Sequence, residues 1–260
     1  RRCTRARTRA GGAAPASAAG ALPYELQPSE IASIAVADDD AGGPRLLVAG
    51  FGSLLSERSA RSTFPELRGF RVGALPGFRR VFAHACDVFL DNGIADLATK
   101  EMSSLSVEPC AGATTVVSLF TIPATDADIA AFVAREHEFR FMAVTAMEAD
   151  GVTVASAPAV VCAAYTDEEY RRVRCAPGEF EARYASRGID RLWRDDVLPC
   201  RAYLRHCVLA ADKLGPEVYD SFVDGTYLAD RRTTVREWLA ANPEIMTTLP
   251  PPALAVRYGG

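Results

Sequence analysis

Short hydrophobic runs separated by turn-forming residues characterise the chain from residue 45 to residue 164. Pairs such as Pro76-Gly77, Asn92-Gly93 and Asp150-Gly151 mark tight turns between several of these runs. The runs are the predicted strands, and they cover residues 45–50, 70–75, 80–85, 95–98, 104–107, 115–122, 141–147 and 152–164. Strands spaced this closely favour a mainly antiparallel, curled or barrel-like sheet over repeated βαβ units.

Two helices are predicted within this strand-rich part of the chain. Thr125 with Asp128 has the pattern of a helix start, and apolar residues recur at helical spacing after it. The pattern predicts a helix over residues 126–138. A capping box formed by Thr166 with Glu169 predicts a second helix.

Beyond about residue 190 the pattern becomes helical throughout. Helices are predicted over residues 198–211 and 218–227, and a third begins at the capping box of Thr234 with Glu237. We therefore predict an α+β fold whose C-terminal helical extension packs on the sheet.

Length and composition limit the class of protein. At 260 residues and 49% hydrophobic, the chain can bury one sizeable core. The predicted organisation is a tail over residues 1–42, a main domain over 43–190 and the helical extension over 191–260. The formal net charge of -4 gives no overall attraction to nucleic acid. No apolar run reaches the roughly 18 residues of a membrane span. We therefore predict neither nucleic acid nor a membrane as a partner, and expect a soluble protein.

Cysteine and histidine usage bears on the compartment and on metal binding. Seven cysteines occur without a CxxC pair, and an odd count argues against a closed disulfide framework. A reducing, intracellular compartment fits this pattern best. Because the chain has three histidines and no HxxxH spacing, no metal site is predicted.

The N-terminal stretch is rich in arginine and small residues. Five arginines precede the first acidic residue, Glu25, and they are Arg1, Arg2, Arg5, Arg7 and Arg9. This composition is typical of an organelle transit peptide, although a disordered tail or an expression remnant has the same composition. The location is therefore predicted to be plastid or mitochondrion in the first case and cytoplasm otherwise. In either case residues up to about 42 are expected to be dispensable for folding.

The first candidate for chemistry is the turn Phe51-Gly52-Ser53-Leu54-Leu55, which directly follows the apolar run 45–50. A buried strand that ends in such a turn leaves main-chain N–H groups without sheet partners. Glycine allows a ligand to approach the backbone closely, and successive free amides favour a carboxylate or an oxyanion. The turn is therefore a candidate anion-binding site.

The second candidate is Arg135-Glu136-His137-Glu138, at the end of the helix predicted over 126–138. Two carboxylates this close can have raised pKa values when buried, which suits a general acid or base. Glu136 continues the apolar face of the predicted helix. If the helix continued, Glu138 would lie about 200° further round and face solvent. Glu136 is therefore the predicted acid/base and Glu138 the alternative, while a polar helix end with surface Glu–Arg pairs is the non-functional interpretation.

The order of these features resembles the gamma-glutamylcyclotransferase-like family over about residues 45–170. The turn is similar to the family's YGS-x-L signature, with Phe51 in the place of the tyrosine. Arg135-Glu136 matches a dipeptide of the glutathione-specific branch, and Phe141 stands five positions on, where tyrosine is usual. The late tyrosine that closes the pocket in that family has a counterpart in Tyr165.

The resemblance implies a fold, an activity and a set of site residues. The fold would be a curled mixed sheet or barrel with flanking helices. The activity would be that of a lyase that cyclises a gamma-glutamyl compound to 5-oxoproline and releases an amine or amino acid, without metal or cofactor. The resemblance also implies Glu136, or alternatively Glu138, as the acid/base. The implied substrate-binding residues are Phe51, Gly52, Ser53, Leu54, Leu55 and Tyr165.

Two questions stay open at this point. The substrate can be glutathione, a free gamma-glutamyl amino acid or a gamma-glutamyl amine. The alternative function is a non-catalytic ligand-binding module on the same fold, since a fold does not fix a function. The position of Glu136 or Glu138 relative to the turn discriminates between the two functions, because a binding module needs no acid there.

Overall fold

The computed structural model describes residues 22–38 and 42–260, and this part of the chain forms one mixed sheet with helices packed around it. The strands are β1 (Tyr24–Leu26), β2 (Arg45–Gly50), β3 (Arg68–Ala85), β4 (Glu101–Pro123), β5 (Arg140–Val144), β6 (Met147–Glu148), β7 (Ala159–Ala163), β8 (Leu198–Pro199) and β9 (Thr226–Leu228). The α-helices are α1 (Glu57–Arg61), α2 (Asp87–Asp91), α3 (Asp126–Arg135), α4 (Asp167–Arg174), α5 (Glu179–Arg183), α6 (Arg201–Lys213), α7 (Pro216–Gly225), α8 (Val235–Ala241) and α9 (Ala255–Tyr258).

The sheet has the strand order β1-β5-β7-β2-β4-β3-β6, and β8 and β9 add to β4 and β3. Most neighbouring strands are antiparallel. The parallel pairs are β2 with β7, β4 with β7 and β8, and β3 with β9. The sheet is therefore mixed, as the sequence predicts.

Two long strands replace four of the predicted short ones. The predicted strands 70–75 and 80–85 are two parts of β3, and 104–107 and 115–122 are two parts of β4. The positions of these strands are confirmed, but the prediction that they are four separate strands is wrong. The turn residues between them bend the two strands together without interrupting the pairing.

Glycine marks the bend in this hairpin of β3 and β4. The pairing jumps from Pro76 opposite Thr114 to Phe78 opposite Pro109. Gly77, between the two pairs, has a φ of +80°, which a residue with a side chain rarely adopts. The extra residues on the β4 side form a bulge, and a bulge increases the local twist and bends the strand.

The bend lets the sheet curl back on itself. One part of β7 pairs with β2, with Leu47 opposite Ala159, and its end pairs with β4, with Val107 opposite Ala163. A single strand thus contacts both β2 and the first half of β4. The predicted α+β fold with a curled, barrel-like sheet and flanking helices is confirmed.

Several predicted element ends are corrected. The predicted strand 95–98 is absent, because the chain reverses after α2 at Gly93 and Asp96 makes only an isolated bridge to Glu101. The predicted strand 152–164 is formed only over β7. The helix predicted over 126–138 is α3, and it ends at Arg135. The capping box of Thr166 and Glu169 opens α4 as predicted.

Residues 22–38 belong to the fold. Strand β1 pairs with β5, and Ile31 and Ile34 in the 3-10 helix Pro28–Ile34 are buried. The predicted tail over residues 1–42 therefore extends too far. The arginine-rich stretch that predicts a transit peptide lies outside the described residues.

The C-terminal extension packs on the sheet, and it also adds two strands to it. Helix α6 buries Tyr203 and Leu204 in the same apolar cluster as Leu105 of β4. Helix α8 begins at the predicted capping box of Thr234. In the described part of the chain no helix is both long and apolar enough to cross a membrane.

Candidate active site

The turn at residues 51–55 follows the carboxyl end of β2 in a tightly packed setting. Gly50 has no room for a side chain, since a Cβ there would lie 2.5 Å from the Leu54 Cβ. The Ser118 hydroxyl of β4 donates to the Leu54 carbonyl at 2.8 Å and holds the turn against the sheet. Residues Ser53–Leu55 form a short 3-10 helix. The turn is thus fixed by β2 and β4 rather than by its own sequence alone.

The amides of this turn are not part of the sheet ladder. Within the described residues, the main-chain N–H groups of Gly52, Ser53 and Leu54 have no backbone acceptor. All three residues line a cavity. The prediction that these amides bind an anion stays a prediction, and the geometry leaves them available for it.

The cavity gathers both sequence motifs. Its lining includes Phe51 and Gly52 from the turn, Arg135 and Glu136 from the end of α3, and Glu138 just beyond. Its volume is about 40 Å³, enough for a few water molecules. A larger ligand therefore enters only when lining side chains move.

Arg135 connects the predicted acid to the predicted anion site. Its Nε donates to the Glu136 carboxylate at 3.0 Å, and its Nη2 donates to the Ser53 hydroxyl at 3.1 Å. Its Nη1 donates to the Thr63 hydroxyl at 2.6 Å. The Arg135 side chain is only 3% exposed, so this network is held rigidly. Burial, and next the positive charge of Arg257, lower the pKa of Arg135.

Glu138 is buried and does not face solvent, because the condition for that expectation, a helix that continues past Glu136, is not met. Helix α3 ends at Arg135, and Glu136 leaves the helical conformation with φ -108° and ψ 43°. The chain therefore brings Glu138, which is 4% exposed, into the cavity wall. There the Tyr184 hydroxyl donates to Glu138 Oε1 at 3.0 Å.

The surroundings of Glu138 stabilise its protonated form. Burial, and next the negative charge of Asp87 with a hydrogen bond between the two side chains, raise the pKa of Glu138 to about 8. Asp87 itself is paired with Arg183. At neutral pH Glu138 therefore mostly retains its proton, whereas Glu136 is held as the partner of a guanidinium.

Among the residues that the structure describes, one cluster has the spacing of metal ligands. The ligand atoms of Cys86, Asp87 and Glu138 lie within 4.8 Å of one another, and all three residues are buried. Burial raises the pKa of the Cys86 thiol well above its ordinary value. A metal ligand must be deprotonated, which this shift opposes for the thiol. The Asp87 carboxylate already forms a salt bridge with Arg183. The cluster therefore suits a shared proton better than a cation.

Tyr165 is not brought to the cavity. Its ring lies beside the Arg140 guanidinium at 4.7 Å and near Tyr170, in a second apolar cluster. Leu55 is buried but does not contribute to the lining, and Phe141 packs on Phe132 at 5.3 Å. Of the predicted binding set, residues 51–54 therefore line the cavity.

Two tyrosines that sequence reasoning missed as site residues line the cavity instead. Tyr203 comes from α6 and Tyr258 from α9, both in the helical extension. A Cβ on Gly52 would lie 2.6 Å from the Tyr203 hydroxyl, so the glycine is required for this contact. The aromatic content of the extension is visible in the sequence, but nothing local indicates which rings reach the turn.

Comparisons with known proteins give no family assignment. No family model matches the chain, and no curated protein matches it significantly. Among solved structures, a gamma-glutamyl cyclotransferase is 11% identical, with a TM-score of 0.45 over 78% of this chain and 99% of that one. The uncharacterised human protein loc79017 is 12% identical, with a TM-score of 0.38 over 52% of this chain and 78% of that one. YkqA from Bacillus subtilis is 15% identical, with a TM-score of 0.32 over 58% and 56%. At these TM-scores the likenesses carry no argument about this chain, whose chemistry has to be inferred from its own residues.

Proposed function

We propose that the protein is a gamma-glutamylcyclotransferase-type lyase, which converts a gamma-glutamyl compound to 5-oxoproline and releases an amine or amino acid. The observation that carries the proposal is the network of Arg135, which holds Glu136 and the Ser53 hydroxyl at one cavity. The acid thus lies beside the turn. A non-catalytic binding module would need the turn but not the acid.

The reaction needs positioning and proton transfer. The α-amino nitrogen of the substrate attacks its own γ-carbonyl carbon, a C–N bond forms in a five-membered ring, and the amide C–N bond to the leaving amine breaks. No electrons are transferred to an external acceptor. A site that holds the chain folded recovers the effective molarity of an intramolecular reaction.

Glu136 carries the proton in this proposal. The α-amino group is mostly an ammonium ion at neutral pH and must lose a proton before it attacks, while the leaving nitrogen must gain one. A single carboxylate that accepts the first proton and donates the second serves both steps. Its partner Arg135 fixes the orientation of the Glu136 side chain.

Glu138 remains the alternative acid/base. It lines the same cavity and mostly retains its proton at neutral pH, so it would start the reaction as a proton donor. The first step removes a proton from the α-ammonium group of the substrate, and the proposal therefore assigns this step to Glu136.

In this proposal the turn stabilises negative charge on the substrate through its main-chain amides. The amides of Gly52, Ser53 and Leu54 would bind the α-carboxylate or the oxyanion that develops on the γ-carbonyl oxygen. One such donor contributes about 3 kcal/mol to transition-state stabilisation. No cofactor or metal enters the proposed reaction.

The test is an assay for 5-oxoproline. Purified protein is incubated in parallel with glutathione, a free gamma-glutamyl amino acid and a gamma-glutamyl amine, since the site residues do not choose among these substrates. Enzyme-dependent 5-oxoproline from at least one of them supports the proposal. No product from any of the three, with ligand binding retained, would instead favour the binding module.

A further inference from the structure

The last described segment of the chain forms one wall of the candidate site. Helix α9 places Arg257 and Tyr258 in the cavity lining. Tyr258 is 2% exposed, and its ring packs 5.4 Å from the ring of Tyr203 and 6.0 Å from that of Phe89. The segment is therefore built into the site.

His206 joins this segment to the turn. The Gly260 amide donates to His206 Nδ1 at 3.1 Å, so the ring proton is on Nε2, which lies 3.4 Å from the Ser53 carbonyl oxygen. Burial lowers the pKa of His206 to about 4, and the ring is neutral at neutral pH. A neutral histidine thus bridges the turn and the end of the segment.

Arg257 brings to this cavity a positive charge that no carboxylate pairs with directly, and its guanidinium lies over the Tyr258 ring at 5.3 Å from the ring centre. Within the described residues Arg257 makes no salt bridge and no hydrogen bond, and its buried Nε lacks an acceptor. Arg135 differs, because its N–H groups are occupied by Glu136, Ser53 and Thr63. A ligand anion can therefore bind Arg257 without disrupting the existing network.

The charges around the cavity favour an anion. The two guanidinium groups of Arg135 and Arg257 are close enough to affect each other, and Glu136 is the carboxylate that offsets them. Glu138 contributes little negative charge while it keeps its proton. The site therefore has an excess of positive charge, and a guanidinium matches a carboxylate through two parallel hydrogen bonds.

We propose that Arg257 binds the α-carboxylate of the substrate, together with the amides of the turn at Gly52 to Leu54. This inference rests on the proposed function for the identity of the substrate, but it concerns binding and not the chemical step. It makes Arg257 a specificity-determining residue that selects gamma-glutamyl compounds with a free α-carboxylate. The helical extension is then a required part of the site.

The experiment measures binding by titration calorimetry. The probes are 5-oxoproline, L-glutamate and the uncharged carboxamide of 5-oxoproline. Arg257→Met is expected to weaken binding of the two carboxylates at least about tenfold and to leave the carboxamide unchanged, because a hydrogen-bonded charge partner is lost. Arg257→Lys keeps the charge but lacks the planar guanidinium. Its affinity for the two carboxylates should lie between those of Arg257→Met and the wild type.

Arg232→Met is the matched control, since Arg232 is an exposed arginine of the same extension. It removes the same charge from the protein and should leave all three affinities unchanged. Thermal melting of each variant shows whether the fold is retained. If Arg257→Met does not fold, the test uses Arg257→Lys. Carboxylate affinity equal to that of the wild type in Arg257→Lys would then contradict the proposal.

The outcomes separate this inference from the proposed lyase. Carboxylate-specific loss of affinity in Arg257→Met supports the inference even if no substrate yields 5-oxoproline. Conversely, if the wild type makes 5-oxoproline and Arg257→Met has an unchanged KM, the inference is wrong and the activity stands. Failure of the wild type to bind either carboxylate would also overturn the inference.

Discussion

The two sides of the cavity present the same acidic residue type in opposite electrostatic surroundings. On the side of the turn, Glu136 is paired with Arg135 and is 13% exposed at its side chain. On the other side, Glu138 faces Asp87 and Tyr184 and is held in its protonated form. Two carboxyl groups two residues apart in sequence therefore have opposite neighbours, a guanidinium for Glu136 and a carboxyl group for Glu138. Divergent surroundings of this kind are a usual sign of acid and base assignments.

The largest expected effect is on the turn side. Glu136→Gln removes the carboxylate that accepts the proton but keeps a side chain of the same shape. General acid/base catalysis contributes roughly 10²- to 10⁴-fold, so kcat for 5-oxoproline formation should fall by at least about 10²-fold. Circular dichroism and product binding, both expected to be unchanged, are the controls. A loss below tenfold would mean that the turn side does not transfer the proton.

The next effect concerns the anion site on the same side. Gly52→Val should reduce affinity for 5-oxoproline at least about tenfold while the domain stays folded, because the new Cβ would lie 2.6 Å from the Tyr203 hydroxyl. Overpacking of this kind costs about 1–3 kcal/mol. Combining Gly52→Ala with Tyr203→Phe removes the clashing oxygen and should restore more affinity than Gly52→Ala alone has. Equal affinities for 5-oxoproline in the single and the double variant would show that the contact with Tyr203 does not cause the loss of affinity.

Glu138, on the other side of the cavity, should affect how the free energy of unfolding depends on pH. Because the pKa of Glu138 is raised to about 8, the folded state binds this proton more tightly than the unfolded chain does. The stabilisation is complete below the ordinary pKa of 4.5 and is lost as the pH rises towards 8. Urea unfolding should show a decrease of up to about 1.4 kcal/mol per pH unit in this window, which Glu138→Gln abolishes.

Glu168→Gln is the control for that measurement, since Glu168 is an exposed acid. It should leave the pH dependence as in the wild type. An identical pH dependence in Glu138→Gln would show that Glu138 is not protonated in the folded protein, and the contrast between the two sides would disappear.

The smallest effect is expected for Ser53→Ala. The Ser53 hydroxyl accepts one of the Arg135 hydrogen bonds, and Thr63 and Ser59 still hold the guanidinium when it is lost. A single such bond contributes about 1 kcal/mol, so kcat should fall by less than about tenfold. Ser186→Ala, on an exposed serine, is the control. A loss as large as that of Glu136→Gln would mean that Ser53 itself takes part in the reaction.

The turn side of the cavity could be predicted from sequence because its signals are local. A strand that ends in glycine indicates the turn at residues 51–55, and an apolar helical face leads to Glu136. Strand positions were predictable for the same reason. The joining of the short predicted strands into β3 and β4 was not, since Gly77 can end a strand or bend it, and only pairing with a partner strand decides.

The other side could not be predicted because distant residues determine it. Helix α3 ends at Arg135, and Arg174 of α4 donates to the carbonyls of Val133 at 3.0 Å and Phe139 at 2.8 Å. These contacts hold the chain in its new direction, and they turn Glu138 inward. The approach of Arg257 from α9 is likewise a tertiary contact that no local pattern indicates.

The central claim is that Glu136 rather than Glu138 transfers the proton, and the ratio of two variants tests it most directly. Glu136→Gln and Glu138→Gln are compared with the wild type in one assay for 5-oxoproline at pH 7, with saturating substrate. We predict that Glu138→Gln retains at least about a tenth of the wild-type rate, while Glu136→Gln retains about a hundredth or less. The reverse order, with Glu138→Gln the more impaired of two folded variants, would contradict the claim and assign the proton transfer to Glu138.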